Sequence, residues 1–295
     1  MERLRFAWWN TRLVHKDGAK QQEIAGEVVR RLIDEAGVVL LALGEVTEAQ
    51  AGMLRDACRT RPLSLLVGDS VPRGMALCYR RDILQLDDHR RITTGWRDKV
   101  MERILHAELS GLPSPLHVFV NHWPSNYMND SSQAERSRLA QHLRGKLREM
   151  PGLSHVVILG DFNVEPFDAA LGQELEASRS RDAVTKGKAL LYNPFWRLLG
   201  ERQSLREALQ QPRRSAGTYL YRSSNATSQW YTMDQILVSA PLLNPEEWHL
   251  LEEETFIWQE PPLLAEKTGR PSHEFDHFPI VGTLRSPVQS QEEGS

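Results

Sequence analysis

The chain has 295 residues, 40% of them hydrophobic and 25% charged, with a formal net charge of −3. This is an ordinary globular composition, enough to bury a sizeable core without staples. Two cysteines exclude a disulfide framework, no apolar run approaches membrane-spanning length, and the mildly acidic balance argues against a protein that merely coats nucleic acid. Cys58 and Cys78 lack metal-ligand spacing and read as reduced core thiols. Met1-Glu2-Arg3 leads straight into an apolar run, so no signal peptide is expected and the expected location is cytoplasmic.

In chain order, an apolar strand Leu4–Trp8 is followed by a helix carrying Ile24, Val28 and Leu32 on one stripe. Val38–Leu43 is almost wholly apolar, the pattern of a strand buried on both faces. Further strands are expected at Leu63–Val67, Gly74–Tyr79, Ile83–Leu86, Ile104–Leu109 and Leu116–Val120, with a turn at Val71-Pro72-Arg73-Gly74. A second helix runs from about Ser132 to Glu149, with Leu139, Leu143 and Leu147 in line, and Pro151-Gly152 stops it. Strand Val156–Leu159 follows, then a mainly helical or irregular stretch from Phe167 to about Gln211. Met233–Val238, Thr255–Trp258 and Phe278–Leu284 close the strand series. Helix, strand series, helix, strand series suggests an α/β fold of two sheets packed face to face, with helices outside. Residues 1–285 read as one domain and Ser286–Ser295 as a disordered polar tail. The sequons at Asn129 and Asn225 are incidental without secretion.

Six of the apolar runs carry Asn, Glu, Asp or His at one end. Asn10, Glu45, His122 and Asp161 follow their runs, while Asp234 and the pair Asp276-His277 precede theirs. If those ends share a rim, four carboxylates meet, and such a group needs a cation. A hard, oxygen-loving ion such as Mg²⁺ fits, and with it phosphate chemistry. Asn163, two residues past Asp161, is placed to donate to a phosphate oxygen. In an extended chain Asp276 and His277 point apart, so His277 needs another carboxylate, for which Asp234 is the candidate. No Gly-x-x-x-x-Gly-Lys-Ser/Thr is present, which removes a phosphate-loop ATPase. His273-Glu274-Phe275-Asp276-His277 matches the zinc-protease pattern, but Pro271 and Pro279 leave no room for the helix it needs.

The ordered set Trp9-Asn10, Glu45, Asn121-His122, Gly160-Asp161-Phe162-Asn163, Met233-Asp234-Gln235 and Asp276-His277-Phe278-Pro279-Ile280 resembles the endonuclease/exonuclease/phosphatase superfamily, which includes deoxyribonuclease I-like enzymes. The resemblance spans Trp9 to Ile280 and implies a four-layer α/β/β/α sandwich of two mostly antiparallel sheets, with Mg²⁺- or Mn²⁺-dependent cleavage of phosphate esters. It implies Glu45 as principal metal ligand with Asn10 and Asp276 nearby, and Asp161 as the group that orients or deprotonates water. His122 and Asn163 would hold the phosphate, and His277 oriented by Asp234 would complete the set. Two positions depart from the common pattern: Gly44 stands where Gln is frequent and Phe275 where Ser is frequent.

For substrate, Arg90, Arg91, Arg97 and Lys99 surround Trp96, and Arg213, Arg214 and Arg222 surround Tyr219 and Tyr221. Cations interleaved with aromatics suit a nucleic-acid backbone and an unstacked base, so the expected partner is nucleic acid. The alternatives are a phosphatase or phosphodiesterase on a small-molecule, inositol or lipid phosphate, and a non-catalytic binding member of the fold. A lipid enzyme would expose Leu190–Trp196 as an apolar loop, although the segment also suits a buried cap.

Overall fold

Two parallel crossovers organise the chain. The computed structural model describes residues 2–15, 18–68, 74–96, 99–125, 131–150, 154–186, 189–200, 216–222, 228–264, 272 and 274–287. The first crossover runs from β1 (Arg3–Asn10) through α1 (Ala19–Arg30) to β2 (Val38–Gly44), which lies parallel to β1. Then come α2 (Glu48–Ala57), β3 (Leu63–Val67), β4 (Met75–Arg80), β5 (Gln85–Trp96) and β6 (Lys99–Ser110). The second crossover runs from β7 (Leu116–His122) through α3 (Ser131–Glu149) to β8 (His155–Asp161), again parallel. Short elements follow: β9 (Ala177–Ser178), α4 (Arg181–Thr185), β10 (Leu191–Tyr192), β11 (Tyr219–Leu220) and β12 (Trp230–Tyr231). β13 (Asp234–Ser239), β14 (His249–Ile257) and β15 (Ile280–Arg285) complete the chain.

The strands form a six-stranded sheet, β14-β15-β1-β2-β4-β3, and a seven-stranded sheet, β5-β6-β7-β8-β13-β10-β9. Both are mixed, with antiparallel pairs in the majority, and the four-layer α/β/β/α sandwich expected from the sequence is the fold observed. The apolar runs are continuous because both faces are covered. In the second sheet Val118, Val120, Val157, Leu159, Ile236 and Val238 enter the core shared with the first sheet. Their neighbours Phe119, Ile158 and Leu237 point the other way, into a cluster with Leu139 and Leu143 of α3. That is the period of two expected of strands. Side chains of α1 and α2, Val28 and Leu54 among them, are buried with the first sheet.

Several boundaries differ from the sequence reading. Ile83 lies in a turn, and the strand expected at Ile83–Leu86 begins at Gln85 and runs to Trp96. Asp87, Asp88, His89, Arg90 and Arg91 hide it because β5 is the sheet's edge, where charge is tolerated and blunts edge-to-edge pairing. Helix α2 follows Glu45 immediately, closed by a capping box between Thr47 and Gln50. The strand expected at Thr255–Trp258 starts six residues earlier, its pattern masked by Glu252-Glu253-Glu254. The Val71-Pro72-Arg73 part of the expected turn, Pro151-Gly152, the two sequon asparagines and tail residues 288–295 lie outside the described residues.

Candidate active site

The ladder registers bring the strand ends to one rim. The parallel strands β1, β2, β7 and β8 end there, delivering Asn10, Glu45 just past Gly44, His122 and Asp161. The antiparallel strands β13 and β15 begin there, with Asp234 directly opposite Asp161 and His277 three residues before Ile280. A ligand crevice outside the carboxyl ends of parallel strands is the general expectation for such sheets. Gly160 lets β8 reach the rim: its φ is +150°, and a Cβ there would collide with the Asn121 carbonyl.

Asp234 is fully buried and both its oxygens are engaged. Oδ1 accepts the Trp8 indole N–H at 2.7 Å, and Oδ2 lies 2.8 Å from His277 Nδ1. Its own N–H donates to Thr218 Oγ1. The other edge of the imidazole, Nε2, stands 3.9 Å from Asp161 Oδ2. Burial alone would push the His277 imidazole down, but the Asp234 charge and hydrogen bond, aided by Asp161 and Asp276, carry it up to about 10. Asp161 moves the other way for an acid: burial, then the Asp234 charge, raise its carboxyl to about 7 against the opposing pull of His277. An acid and an imidazole displaced in this way are typical of catalytic pairs.

Asn10 faces the carboxylates with its donor edge. Its Nδ2 donates to Glu45 Oε1 at 3.2 Å and to Asp161 Oδ2 at 3.1 Å, while Oδ1 accepts the Arg12 N–H. His122 Nε2 lies 3.5 Å from Glu45 Oε1. Asn163 is held by its N–H on Asp161 Oδ1 and by Nδ2 on the Trp123 carbonyl. Asp276 pairs with the Arg12 guanidinium, whereas His277 turns to Asp234, so the adjacent side chains do point apart. Residues 274–287 contain no helix, which removes the zinc-protease geometry.

Two oxygens are left over. Glu45 Oε2 and Asp276 Oδ1 are buried without a hydrogen-bond partner, although the half-exposed His15 imidazole stands 3.5 Å from Glu45 Oε2. Orphaned buried carboxylate oxygens suit a hard divalent cation. Ligand atoms of Asp161, Asp234 and His277 also lie within 4.8 Å of one another, but Asp234 has no lone oxygen to offer a cation. The trio thus forms a relay of contacts, Asp234–His277–Asp161, beside the two orphaned oxygens of Glu45 and Asp276.

All of this surrounds a cleft of about 430 Å³ lined by Arg12, Glu45, His122, Asp161, Asn163, Asp276 and His277, with Tyr219, Tyr221 and Tyr231 as an aromatic wall. The wall belongs to the β11–β12 hairpin, and the Tyr219 ring lies 4.6 Å from that of His277. Arg12, Glu45 and Asn163 are all non-glycine residues with φ between +53° and +57°, a strained conformation that concentrates at functional sites.

The structure brings the eight residues singled out from the sequence together at this rim, and adds Arg12, Trp8, Thr218 and Tyr231, which the sequence did not single out. The two departures have physical reasons here. A Cβ at position 44 would collide with the Trp8 indole, so Gly44 makes room for the ring that holds Asp234. Phe275 is buried against Trp9 at 5.2 Å between ring centroids, and Trp9 in turn donates to the His277 carbonyl. Of the expected rim cations, Arg90 pairs with Asp88 and Arg91 lies 3.7 Å from Glu102. Arg222 donates to the Ser272 carbonyl. Arg97, Arg213 and Arg214 lie outside the described residues, as do the side chains of Trp96 and Lys99. Leu191, Tyr192, Pro194 and Phe195 are buried, which makes that segment a cap and not an exposed membrane-docking loop.

A family model described as the Endonuclease/Exonuclease/phosphatase family matches residues 8–279. The chain belongs to that family. Its members are phosphoesterase hydrolases that use divalent metals. No curated protein sequence matches this chain. Among solved structures it resembles TDP2 from Caenorhabditis elegans in truncated form, with 14% identity, a TM-score of 0.63, and coverage of 96% of this chain and 98% of that one. It also resembles D. rerio TDP2 complexed with single strand DNA product, at 16% identity and a TM-score of 0.62, covering 96% and 99%. A family protein from Bacteroides thetaiotaomicron gives 17%, 0.57, and coverage of 96% and 97%. At these identities the likeness shows the fold. Among the described residues no helix is long and apolar enough to cross a membrane.

Proposed function

We propose that this endonuclease/exonuclease/phosphatase family member is a Mg²⁺- or Mn²⁺-dependent nuclease that hydrolyses phosphodiester bonds in DNA or RNA by direct water attack. The observation that carries the reading is the cleft itself, where a carboxyl raised to about 7, a charged imidazole and two orphaned carboxylate oxygens converge. Glu45 and Asp276 would hold the cation, with Asn10 bracing Glu45. A bound Mg²⁺ or Mn²⁺ would draw negative charge off a phosphate oxygen.

The chain's own residues supply the rest. Asp161 orients a water and takes its proton, and Asn163 and Asn10 fix the carboxylate's two oxygens for that task. His277, kept charged by Asp234, donates to the phosphate as negative charge builds on it. His122 and Asn163 line the same cleft and complete the phosphate contacts. The new P–O bond comes from water, the opposite ester bond breaks with its oxygen taking a proton from solvent, Asp161 returns its proton to solvent, and no covalent enzyme intermediate forms.

Nucleic acid is favoured by the tyrosine wall, which offers faces for an unstacked base. The register adds a second support: Ile104 pairs with Asn121, so β6 carries its hairpin with β5 several residues past His122 on the same rim. The solved relative complexed with single strand DNA product supports the same substrate class. The core shared by both sheets supports one domain over residues 1–285, and the buried free thiols Cys58 and Cys78 support a reducing, cytoplasmic setting. The test is a panel of single- and double-stranded DNA, RNA and chromogenic phosphodiesters and phosphomonoesters, each with Mg²⁺, Mn²⁺ or chelator. Turnover confined to a small ester would move the assignment to a phosphatase or small-molecule phosphodiesterase. Silence across the panel would favour the binding-module reading.

A further inference from the structure

Arg12 lines the cleft and has no role so far. Its guanidinium pairs with Asp276 Oδ2, while the other oxygen of that carboxylate is buried and lacks a hydrogen-bond partner. The pair is asymmetric: the Arg12 side chain is 40% exposed and that of Asp276 only 10%. The acid is fixed in the wall, and the arginine reaches it from the mouth of the cleft. The Arg12 backbone is pinned on both sides. Its N–H donates to Asn10 Oδ1, its carbonyl accepts the His15 N–H, and Val14 N–H donates to the Glu45 carbonyl. A φ of +57° held by those bonds places this side chain, and no neighbouring one, over the carboxylate. The backbone is thus hydrogen-bonded in place, and the half-exposed side chain is held to the wall by its ion pair.

We propose that Arg12 is an internal competitor of the divalent cation, occupying Asp276 in the cation-free protein and passing to a phosphate oxygen of the substrate once a cation takes that carboxylate. This rests on the cation reading given above. The guanidinium is a weak stand-in because it satisfies one oxygen of Asp276 and none of Glu45. A divalent ion among Glu45 and Asp276 brings two like charges beside Arg12 and makes the old position unfavourable. The released fork is matched to a phosphate, which brings two charged oxygens into the cleft that Arg12 already lines. Cation arrival and substrate capture would thus be coupled through one side chain. The competing account is a static ion pair that merely ties the 10–15 loop to residue 276.

The experiment measures Mn²⁺ binding to the full, substrate-free chain by electron paramagnetic resonance, for the wild type, Arg12→Gln, Arg12→Lys and Glu45→Gln. Removing a competitor held by a half-exposed ion pair should tighten Mn²⁺ binding about two- to fivefold in Arg12→Gln. Arg12→Lys, which keeps the charge, should stay within about twofold of wild type. Binding of an oligothymidylate in Mn²⁺, measured in an Asp161→Asn background, should weaken at least about fivefold on adding Arg12→Gln. In the wild type, the Arg12 Nε–H resonance should shift as Mg²⁺ is added, a readout that needs no variant. Mn²⁺ binding in Arg12→Gln that equals or falls below wild type overturns the proposal, as does an Arg12 resonance indifferent to Mg²⁺. If Glu45→Gln abolishes binding in that same result, the cation site stands and only the competitor role fails. If the wild type binds no Mn²⁺ at millimolar concentration, both fail.

Discussion

Replacing Asp234 by Asn alters one atom of a fully buried side chain, yet removes the charge that keeps His277 protonated. The substituted side chain retains an oxygen for the Trp8 indole, and the Asp234 N–H keeps its bond to Thr218. What changes is the 2.8 Å contact with His277 Nδ1, where an amide N–H replaces a carboxylate oxygen. The imidazole must then accept at Nδ1 and become neutral. Asp161 and Asp276 remain, but the chief counterweight to burial is gone, so the His277 value should fall well below about 10. Loss of an orienting carboxylate behind a catalytic imidazole costs roughly 10³- to 10⁴-fold in turnover in the serine-protease case, and a similar loss is expected here. Imidazole-labelled NMR in chelator, with His277→Gln to assign the signal, follows the titration; turnover of the best substrate from the panel follows the chemistry. An imidazole that still titrates above pH 9, or turnover within threefold of wild type, would refute the relay.

Asp161→Asn should abolish turnover while shifting Tm by no more than a few degrees. An acid raised to about 7 by burial destabilises the cation-free protein as pH rises from 3.8 through 7, because the unfolded chain loses its proton first. Asn removes that penalty, offset by a donor–donor contact with Asn10; melting curves at pH 5 and pH 8 measure both. Gly160→Ala places a Cβ against the Asn121 carbonyl at a φ of +150°, so several kcal/mol of stability should be lost and the yield of folded protein should collapse. His106 lies away from the site, its ring stacked 4.2 Å from Phe119, with burial first and His117 second pushing it down to about 4. Its neutral form contributes stability that is fully present above pH 6.5 and lost as pH falls through about 4, so His106→Phe should flatten the acid side of a Tm-versus-pH curve.

The part of this site that could be read in the sequence is the part that local pattern encodes. Runs such as Val38–Leu43 and Val156–Leu159 are apolar throughout because sheet partners and helices cover both faces, and a polar residue at the end of such a run is conspicuous. Glu45 lies just ahead of helix α2 and, taken alone, reads as an ordinary acid at a helix start. Thr47 caps that helix, which leaves Glu45 two residues outside it with a φ of +54°. What stayed hidden depends on distance along the chain or on polarity. Trp8 meets Asp234 across 226 residues, and no local feature of Leu4–Trp9 announces that its indole will brace a carboxylate. Arg12 reads as one more surface cation until the Asp276 carboxylate appears beneath it. The polar edge strand β5 lacks alternation over Asp87–Arg91 because consecutive residues, on both its faces, are exposed. The same non-local logic dissolves the His273–His277 coincidence, since His277 is committed to Asp234 and bridged to Tyr219.

The most direct test of the central claim is cleavage of an end-labelled single-stranded oligonucleotide by the purified chain in Mg²⁺, in Mn²⁺ and in chelator, beside Glu45→Gln and Asp161→Asn. The account predicts metal-dependent products with the wild type, none with Asp161→Asn, and with Glu45→Gln a loss that raised Mn²⁺ partly restores. Cleavage that survives chelator, or that Asp161→Asn leaves intact, would contradict it.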